Sequence, residues 1–443
     1  VSVKQSSSRK PDIVRLEPSS AIFSKSETID GKERAMGLIL VYHDISKPAL
    51  YGGVAAAIAA TRQCGFMHVA ARFDTALHAD AVQHVVASGG LGASGLCWFE
   101  RLSGRRVPPV ATLEAVLDAA VVEDVVVPIH PAFLTDRDML AVLSAAGQAR
   151  AIGLEVVTVH EGSNYFFDAV SQAVLAWRDC FGRIGLDRPE CRTGHGLTIG
   201  LVGAQSDHRD VYPAALASLA DAADSLPIPI DVRFIDPTDV DQFENPAVFE
   251  SLSGILLPGG ADMKSVAGQT AAAARSLETG LPTVGLCLGM QTMTTAVAWR
   301  AYGREAANLT EADPDARIKT FVPMAGEQAP DGTVLPTHRT GDQAIDIVPG
   351  TRLSGIIRAE LQVRCNHRFR LNPALLPDLE AAGLRIAAQS LSGAIVDAIE
   401  LPDHPFFIGM QGHPELSSRP DMPHPLLAAF LMAAANGHSS SIS

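Results

Sequence analysis

The chain has 443 residues, 47% hydrophobic and 19% charged, enough for two or three globular domains with cores of their own. A formal net charge of -14 argues against nucleic acid or an anionic membrane as the main partner. Six cysteines without a CxxC pair argue against a zinc ribbon or disulfide framework and fit a reducing cytoplasm, the expected compartment.

Taken in chain order, the polar start VSVKQSSSRK opens a stretch read as a flexible arm over residues 1–35. A first α/β domain of unknown function is predicted over 36–186. Its candidate strands are GLILVYHD (37–44), FMHVAARFD (66–74), VVVPIHP (125–131) and GLEVVTVHEG (153–162). Segments with apolar residues at helical spacing separate them, such as VAAAIAATRQ and DRDMLAVLSAAGQARAI. Strands alternating with helices predict a mainly parallel sheet covered on both faces. DRPECRTGHG (187–196) mixes charge, Pro and Gly and reads as a linker. A second α/β domain is predicted over 197–436, with strands in LTIGLVGA (197–204), DVRFIDPTD (231–239), SGILLPGG (253–260) and PTVGLCLG (282–289). Residues 437–443 read as a flexible tail. No apolar run reaches the roughly 20 residues a membrane helix needs, so no membrane partner is expected.

The densest chemistry lies in the second domain. Cys287 stands between Gly285 and Gly289, after a short apolar strand and before the helical stretch MQTMTTAVAW. A nucleophile on such a turn needs close backbone packing, which glycine permits. The helix N-terminus beneath the sulfur favours a thiolate and a developing oxyanion. In GMQGHPEL (409–416), His413 and Glu415 stand two apart and share a side in extended backbone. The imidazole can take the thiol proton while the carboxylate fixes its tautomer. The turn ending SGILLPGG can aim the N–H of Gly259 or Gly260 at a substrate carbonyl, and with the N–H of Leu288 it would form an oxyanion hole. Each motif alone also has a bland reading: a buried small residue, a surface loop and a tight turn.

Together and in this order, PGG, G-x-C-x-G and H-P-E resemble the class I (triad) glutamine amidotransferases, most closely the glutaminase domain of CTP synthase, through CLGMQ and HPE. IGLVGAQSDHRDVYPAALASLADA (199–222, with Asp210 and Tyr212) resembles that family's opening strand and helix. ANLTEA (307–312) resembles ANSTEF, RCNHRFRLN (364–372) resembles RHRHRYEVN, and HPLLAAFLMAA (424–434) resembles the closing helix. The resemblance implies a flavodoxin-like α/β fold with a nucleophile elbow and a catalytic triad of Cys287, His413 and Glu415. It also implies glutamine binding by Gln291, Glu311 (amino group) and Arg368 (carboxylate). A zwitterionic substrate needs one charge of each sign, and arginine suits a carboxylate. No metal and no cofactor are expected for this half; a cofactor for the first domain is left open.

The chain also departs from the family. Ala261 and Asp262 follow PGG in place of Phe-Gly, and Val363, Cys365 and Asn366 stand where the family has Glu, His and Arg. There is no G-x-x-x-x-G-K-[ST] loop, so CTP synthesis by this chain alone is not expected. In the first domain His43, His130 and His160 sit at the ends of candidate strands, where ligands bind in open parallel sheets. They form a candidate site for a metal or a general base, with hydrogen-bonded loop histidines as the bland reading. VYHD and VVVPIHPAFLTDRDM resemble the cobalt- and iron-inserting chelatases, though without that family's glycine after the first His.

The expected function is a glutamine-dependent amidotransferase. L-glutamine is the substrate, and ammonia is delivered to an acceptor on the first domain or to a partner synthase or ligase. A second copy of the chain is a further candidate partner. The alternatives are a free-standing γ-glutamyl amide hydrolase and a non-catalytic binding protein with a glutaminase fold.

Overall fold

A computed structural model describes residues 37–440 apart from 45, 75, 131–138, 191–195, 305, 325, 329–331, 333 and 358–360. The predicted arm and half of the predicted linker lie outside the described residues. The residues from Met36 onward form one compact unit, and it holds two large sheets.

The first sheet is built from β1 (Gly37–His43), β2 (Gly65–Phe66), β3 (Val125–Ile129), β4 (Gly153–Glu161), β5 (Tyr165–Asp168), β6 (Val174–Arg178) and β7 (Ile184–Gly185), in the order β2-β3-β1-β4-β5-β6-β7. The first four strands are parallel. The last three form an antiparallel meander, so the expected mainly parallel sheet is a mixed one. The core strands are GLILVYH and VVVPI, apolar and rich in β-branched residues because both of their faces are covered. The expected strand over 66–74 is paired only at Gly65–Phe66. Beyond it Met67 N–H still donates to Val126 O, but His68 turns to the Pro108 carbonyl and the chain leaves the ladder. Helices α1 (Gly53–Arg62), α2 (Cys97–Ser103), α3 (Leu113–Val122) and α4 (Met139–Ala149) belong to this half.

The second sheet comprises β8 (Leu197–Val202), β9 (Ile230–Ile235), β10 (Gly254–Leu257), β11 (Thr283–Leu286), β12 (Arg339–Ile347), β13 (Leu361–His367), β14 (Arg385–Ser390), β15 (Val396–Glu400) and β16 (Phe407–Met410), ordered β9-β8-β10-β11-β16-β15-β14-β12-β13. Its five parallel strands follow the flavodoxin-like order 2-1-3-4-5. The other four extend the sheet antiparallel. Helices α5 (Ala214–Ser225), α6 (Val266–Thr279) and α7 (Leu288–Tyr302) follow β8, β10 and β11. α7 is buried on every side from Leu288 to Ala298, as expected of a helix whose sequence is apolar or small all round. After α8 (Arg352–Ile356) and α9 (Leu376–Ala381), the closing helix α10 runs Pro425–Ser440, so the expected tail is helical as far as Ser440. Among the described residues no helix is long and apolar enough to cross a membrane.

The two halves meet through buried charge pairs. Arg364 of β13 pairs with both oxygens of Glu100 in α2 and donates to the Val85 carbonyl. Arg101 grips both oxygens of Asp221 in α5 at 2.7 Å. Asn366 donates to Gln83 at 2.6 Å. Truncating one partner of such a pair strands a buried charge, at a cost of about 3–5 kcal/mol. The altered family positions Val363, Cys365 and Asn366 thus lie on the strand that faces the first half.

Candidate active site

β11 ends at Leu286, Cys287 takes φ 49 and ψ -104, and α7 starts at Leu288. A positive φ is costly for a residue with a Cβ and marks a strained, over-determined position. The neighbouring glycines make it affordable. A Cβ on Gly285 would lie 2.4 Å from the Met293 sulfur, and one on Gly289 would lie 2.1 Å from the Leu257 carbonyl oxygen. Cys287 N–H still bonds Met410 O at 2.7 Å, so the strand register with β16 fixes where the bend occurs. The sulfur is buried over the first turn of α7, whose amide groups have no carbonyl partner within the helix.

The chain leaving β16 brings the partner groups back to the elbow. His413 N–H is held by Arg364 O at 2.7 Å, and its Nδ1 lies 2.7 Å from Glu415 Oε1. One point 3.3 Å or less from both His413 Cε1 and Cys287 Cβ is where a Gly259 side chain would begin, so the ring, the nucleophile and the PGG turn share one spot. Burial lowers the His413 pKa, but the charges of Cys287 and Glu415 outweigh it and raise the ring well above its ordinary value. Among the described residues His413 Nε2 finds no hydrogen bond of ordinary geometry, although the sulfur is close enough for its charge to act.

Two further groups complete this cluster. Tyr212 donates to the same Glu415 oxygen at 3.1 Å, and burial followed by the Glu415 charge keeps the phenol protonated. Gln411 Nε2 points at the Cys287 sulfur at 3.7 Å, while its Oε1 accepts from Gln291 at 3.3 Å. Tyr212 was visible in the sequence only as part of a resemblance. Gln411 lies inside GMQGHPEL without a chemical signature of its own.

Cys287, Leu288, Gln291, Glu311, Arg368 and Gly260 line one cavity. The structure therefore brings together all but one of the predicted oxyanion and substrate residues. Gly259 is the exception: it packs beneath the His413 ring instead of lining the cavity wall. Glu311 and Arg368 are exposed at its mouth. Burial raises the Glu311 pKa and the Arg368 charge opposes that shift. The same cavity is lined by Gln83 and Leu91, from the first half of the chain, a contribution no local motif announces. A separate cleft beside α6 and α7, lined by Phe243, Arg275, Trp299 and Arg304, holds no nucleophile.

The three histidines of the first half do not converge. Register pairs His43 with Val159 and Tyr42 with Ile129 on parallel strands. His43 and His130 therefore share a face, and His160 points to the opposite one. The ring contacts agree: His43 packs on Phe166 and His160 on Phe167. His160 is exposed, whereas His43 and His130 are buried beside Tyr51 at a small cavity. Among the described residues, Cys365, His367 and Asp397 bring ligand atoms within 4.8 Å of one another. Arg339 already binds both oxygens of Asp397 there, so a fixed cation takes the place a metal would need.

A family profile described as glutamine amidotransferase class-I matches residues 208–433. The CTP synthase of Roseiflexus castenholzii is 35% identical over 263 residues, 58% of this chain and 46% of that protein. The CTP synthase of Chloroflexus aggregans is 37% identical over 261 residues, again 58% and 46%. The chain thus spans about half the length of the curated relatives it matches. The glutaminase domain of Trypanosoma brucei CTPS, solved with bound acivicin, superposes with a TM-score of 0.50 at 27% identity, covering 54% of this chain and 94% of that one. Because the family match takes in just over half of the chain, including the elbow and the His413–Glu415 pair, the chain belongs to the class-I glutamine amidotransferases.

Proposed function

We propose that the chain hydrolyses L-glutamine at Cys287 and hands the ammonia to an acceptor bound by its first half or by a partner synthase. The observation that carries this reading is the cavity that joins a cysteine on a strained elbow to one anionic and one cationic side chain. Glutamine needs both charges at one end and an amide at the other.

In this reading the Cys287 sulfur attacks the side-chain amide carbon. The resulting oxyanion is held by N–H groups of the PGG turn and of Leu288. The His413 imidazolium gives its proton to the departing nitrogen, releasing ammonia and leaving a thioester. His413, neutral again, takes a proton from water, the hydroxide equivalent attacks the thioester, and glutamate leaves with the sulfur restored. Glu415 keeps the imidazole in the required tautomer, and Tyr212 steadies Glu415. Every step uses protein groups, water and substrate.

Delivery to an acceptor, as opposed to free hydrolysis, is supported by the cover that the first half places on the cavity through Gln83 and Leu91. The test is glutamate release from glutamine by the full chain, alone and with candidate acceptors or a co-purified ligase. Faster release on addition, lost in Cys287→Ser, supports the reading. Equal turnover with or without any addition, extended to other γ-glutamyl amides, would establish the free-standing hydrolase instead.

A further inference from the structure

Among the described residues, the first half reaches the glutaminase cavity through Gln83 and Leu91 of the segment 76–93, folded around a two-stranded ribbon (His84–Val85 with Leu91–Gly92). Two of its partners, Ala261 and Asn366, line the cavity. Asp80 Oδ1 accepts from Ala261 N–H at 2.6 Å. Gln83 accepts from Asn366, Val85 O accepts from Arg364, and Gly89 O accepts from Thr340. Asp80 Oδ2 lies 3.3 Å from where a Gly260 side chain would start. The carboxylate therefore sits against the turn Pro258-Gly259-Gly260-Ala261, where oxyanion donors are expected.

That turn has an intrinsic weakness. Two consecutive glycines leave four backbone dihedrals without a Cβ to restrict them, and the oxyanion donors must face one fixed point to act. A peptide unit is planar, so holding Ala261 N–H also fixes the opposite direction of the Gly260 carbonyl. The family has Phe-Gly after PGG, whereas this chain has Ala261 and Asp262, and here the anchor comes from another part of the chain.

We propose, on the reading of Cys287 as a glutaminase nucleophile, that Asp80 is a positioning residue that orients the Gly259–Gly260 turn for the transition state. The glutaminase site is then complete only when the segment 76–93 is docked. Burial raises the Asp80 carboxyl to about 6; Ala261 N–H opposes that shift, Asp207 and Asp262 reinforce it, and His413 opposes it. At neutral pH the carboxylate is the acceptor.

The experiment compares Asp80→Ala, Asp80→Asn and the unaltered full chain in steady-state glutamine hydrolysis. The reaction of Cys287 with iodoacetamide, which needs no oxyanion turn, reports an intact elbow. Asp80→Ala is expected to lower kcat about tenfold or more with KM changed less than about twofold, because a mis-set donor acts only on the transition state. Asp80→Asn keeps a carbonyl acceptor for Ala261 N–H and is expected to recover most of kcat. Alkylation rates should match in all three. An active unaltered chain with Asp80→Ala of equal kcat overturns this proposal and leaves the glutaminase reading standing. So does a parallel fall in kcat and alkylation that Asn does not rescue, since that is the mark of a structural role. An unaltered chain that releases no glutamate under any condition overturns both.

Discussion

His413 Nδ1 lies 2.7 Å from Oε1 of Glu415, and Tyr212 donates to that same oxygen at 3.1 Å. The other carboxylate oxygen is buried without a hydrogen-bond partner among the described residues. One oxygen thus serves both donors, and the ring orientation rests on a single acceptor. Glu415→Gln can present an NH2 group to Nδ1 and favour the wrong tautomer. It is expected to lower kcat by about 10²–10⁴ with little change in KM. Tyr212→Phe removes one of two donors and should cost roughly 3- to 10-fold. Steady-state kinetics on the two variants checks both; equal losses would deny the hierarchy.

Backbone contact at the elbow leaves no room for a methyl group. Gly289→Ala would put a carbon 2.1 Å from the Leu257 carbonyl oxygen, an atom of a central strand that cannot yield. Destabilisation of about 3 kcal/mol or more is expected. Gly355→Ala has nothing among the described residues within 4 Å of its new carbon and should stay within about 1 kcal/mol of the unaltered chain or gain slightly. Urea unfolding of the pair separates a steric demand from the general effect of losing a glycine.

These two cases mark how far the sequence could be read. The elbow was legible because its constraint is local: Gly285, Cys287 and Gly289 stand within five residues, and each glycine is needed by a contact the turn itself creates. His413 and Glu415 were legible for the same reason. Asp80 and Gln83 were not. Asp80 meets its Ala261 partner across 181 residues and Gln83 meets Asn366 across 283, and neither carries a pattern in its own neighbourhood. His43, His130 and His160 all stand at strand ends, but face depends on register, which the sequence does not show, and a one-residue offset puts His160 on the other face. The meander β5–β7 escaped because short strands with mixed exposure give too little periodicity to detect.

Substrate recognition yields a distinct kinetic signature. Arg368 and Glu311 sit at the cavity mouth with opposite charges. Their work is expected in the ground state as well as the transition state. Arg368→Ala should raise KM for glutamine about 10- to 100-fold with a smaller effect on kcat. A variant that lost kcat at unchanged KM would place Arg368 outside the substrate site.

Stability should carry the imprint of a buried neutral histidine. Burial, and then the charge of His130, lowers His43 from 6.5 to about 3. The folded state therefore binds the proton less tightly than the unfolded chain. Its contribution is complete above about pH 6.5 and is lost as pH falls toward 3. Between pH 7.5 and 5.5 the unaltered chain should lose about 1.4 kcal/mol relative to His43→Leu. Urea midpoints at the two pH values give the difference directly, and parallel pH slopes would contradict it.

The central claim is that Cys287 is a nucleophile served by His413 and presented to a glutamine-shaped cavity. Mass spectrometry of the full chain treated with a glutamine-mimicking electrophile tests this most directly. The account predicts one adduct, mapped to Cys287, slowed by added glutamine and abolished in His413→Ala. Labelling that ignores glutamine, or that survives unchanged without the imidazole, would contradict it.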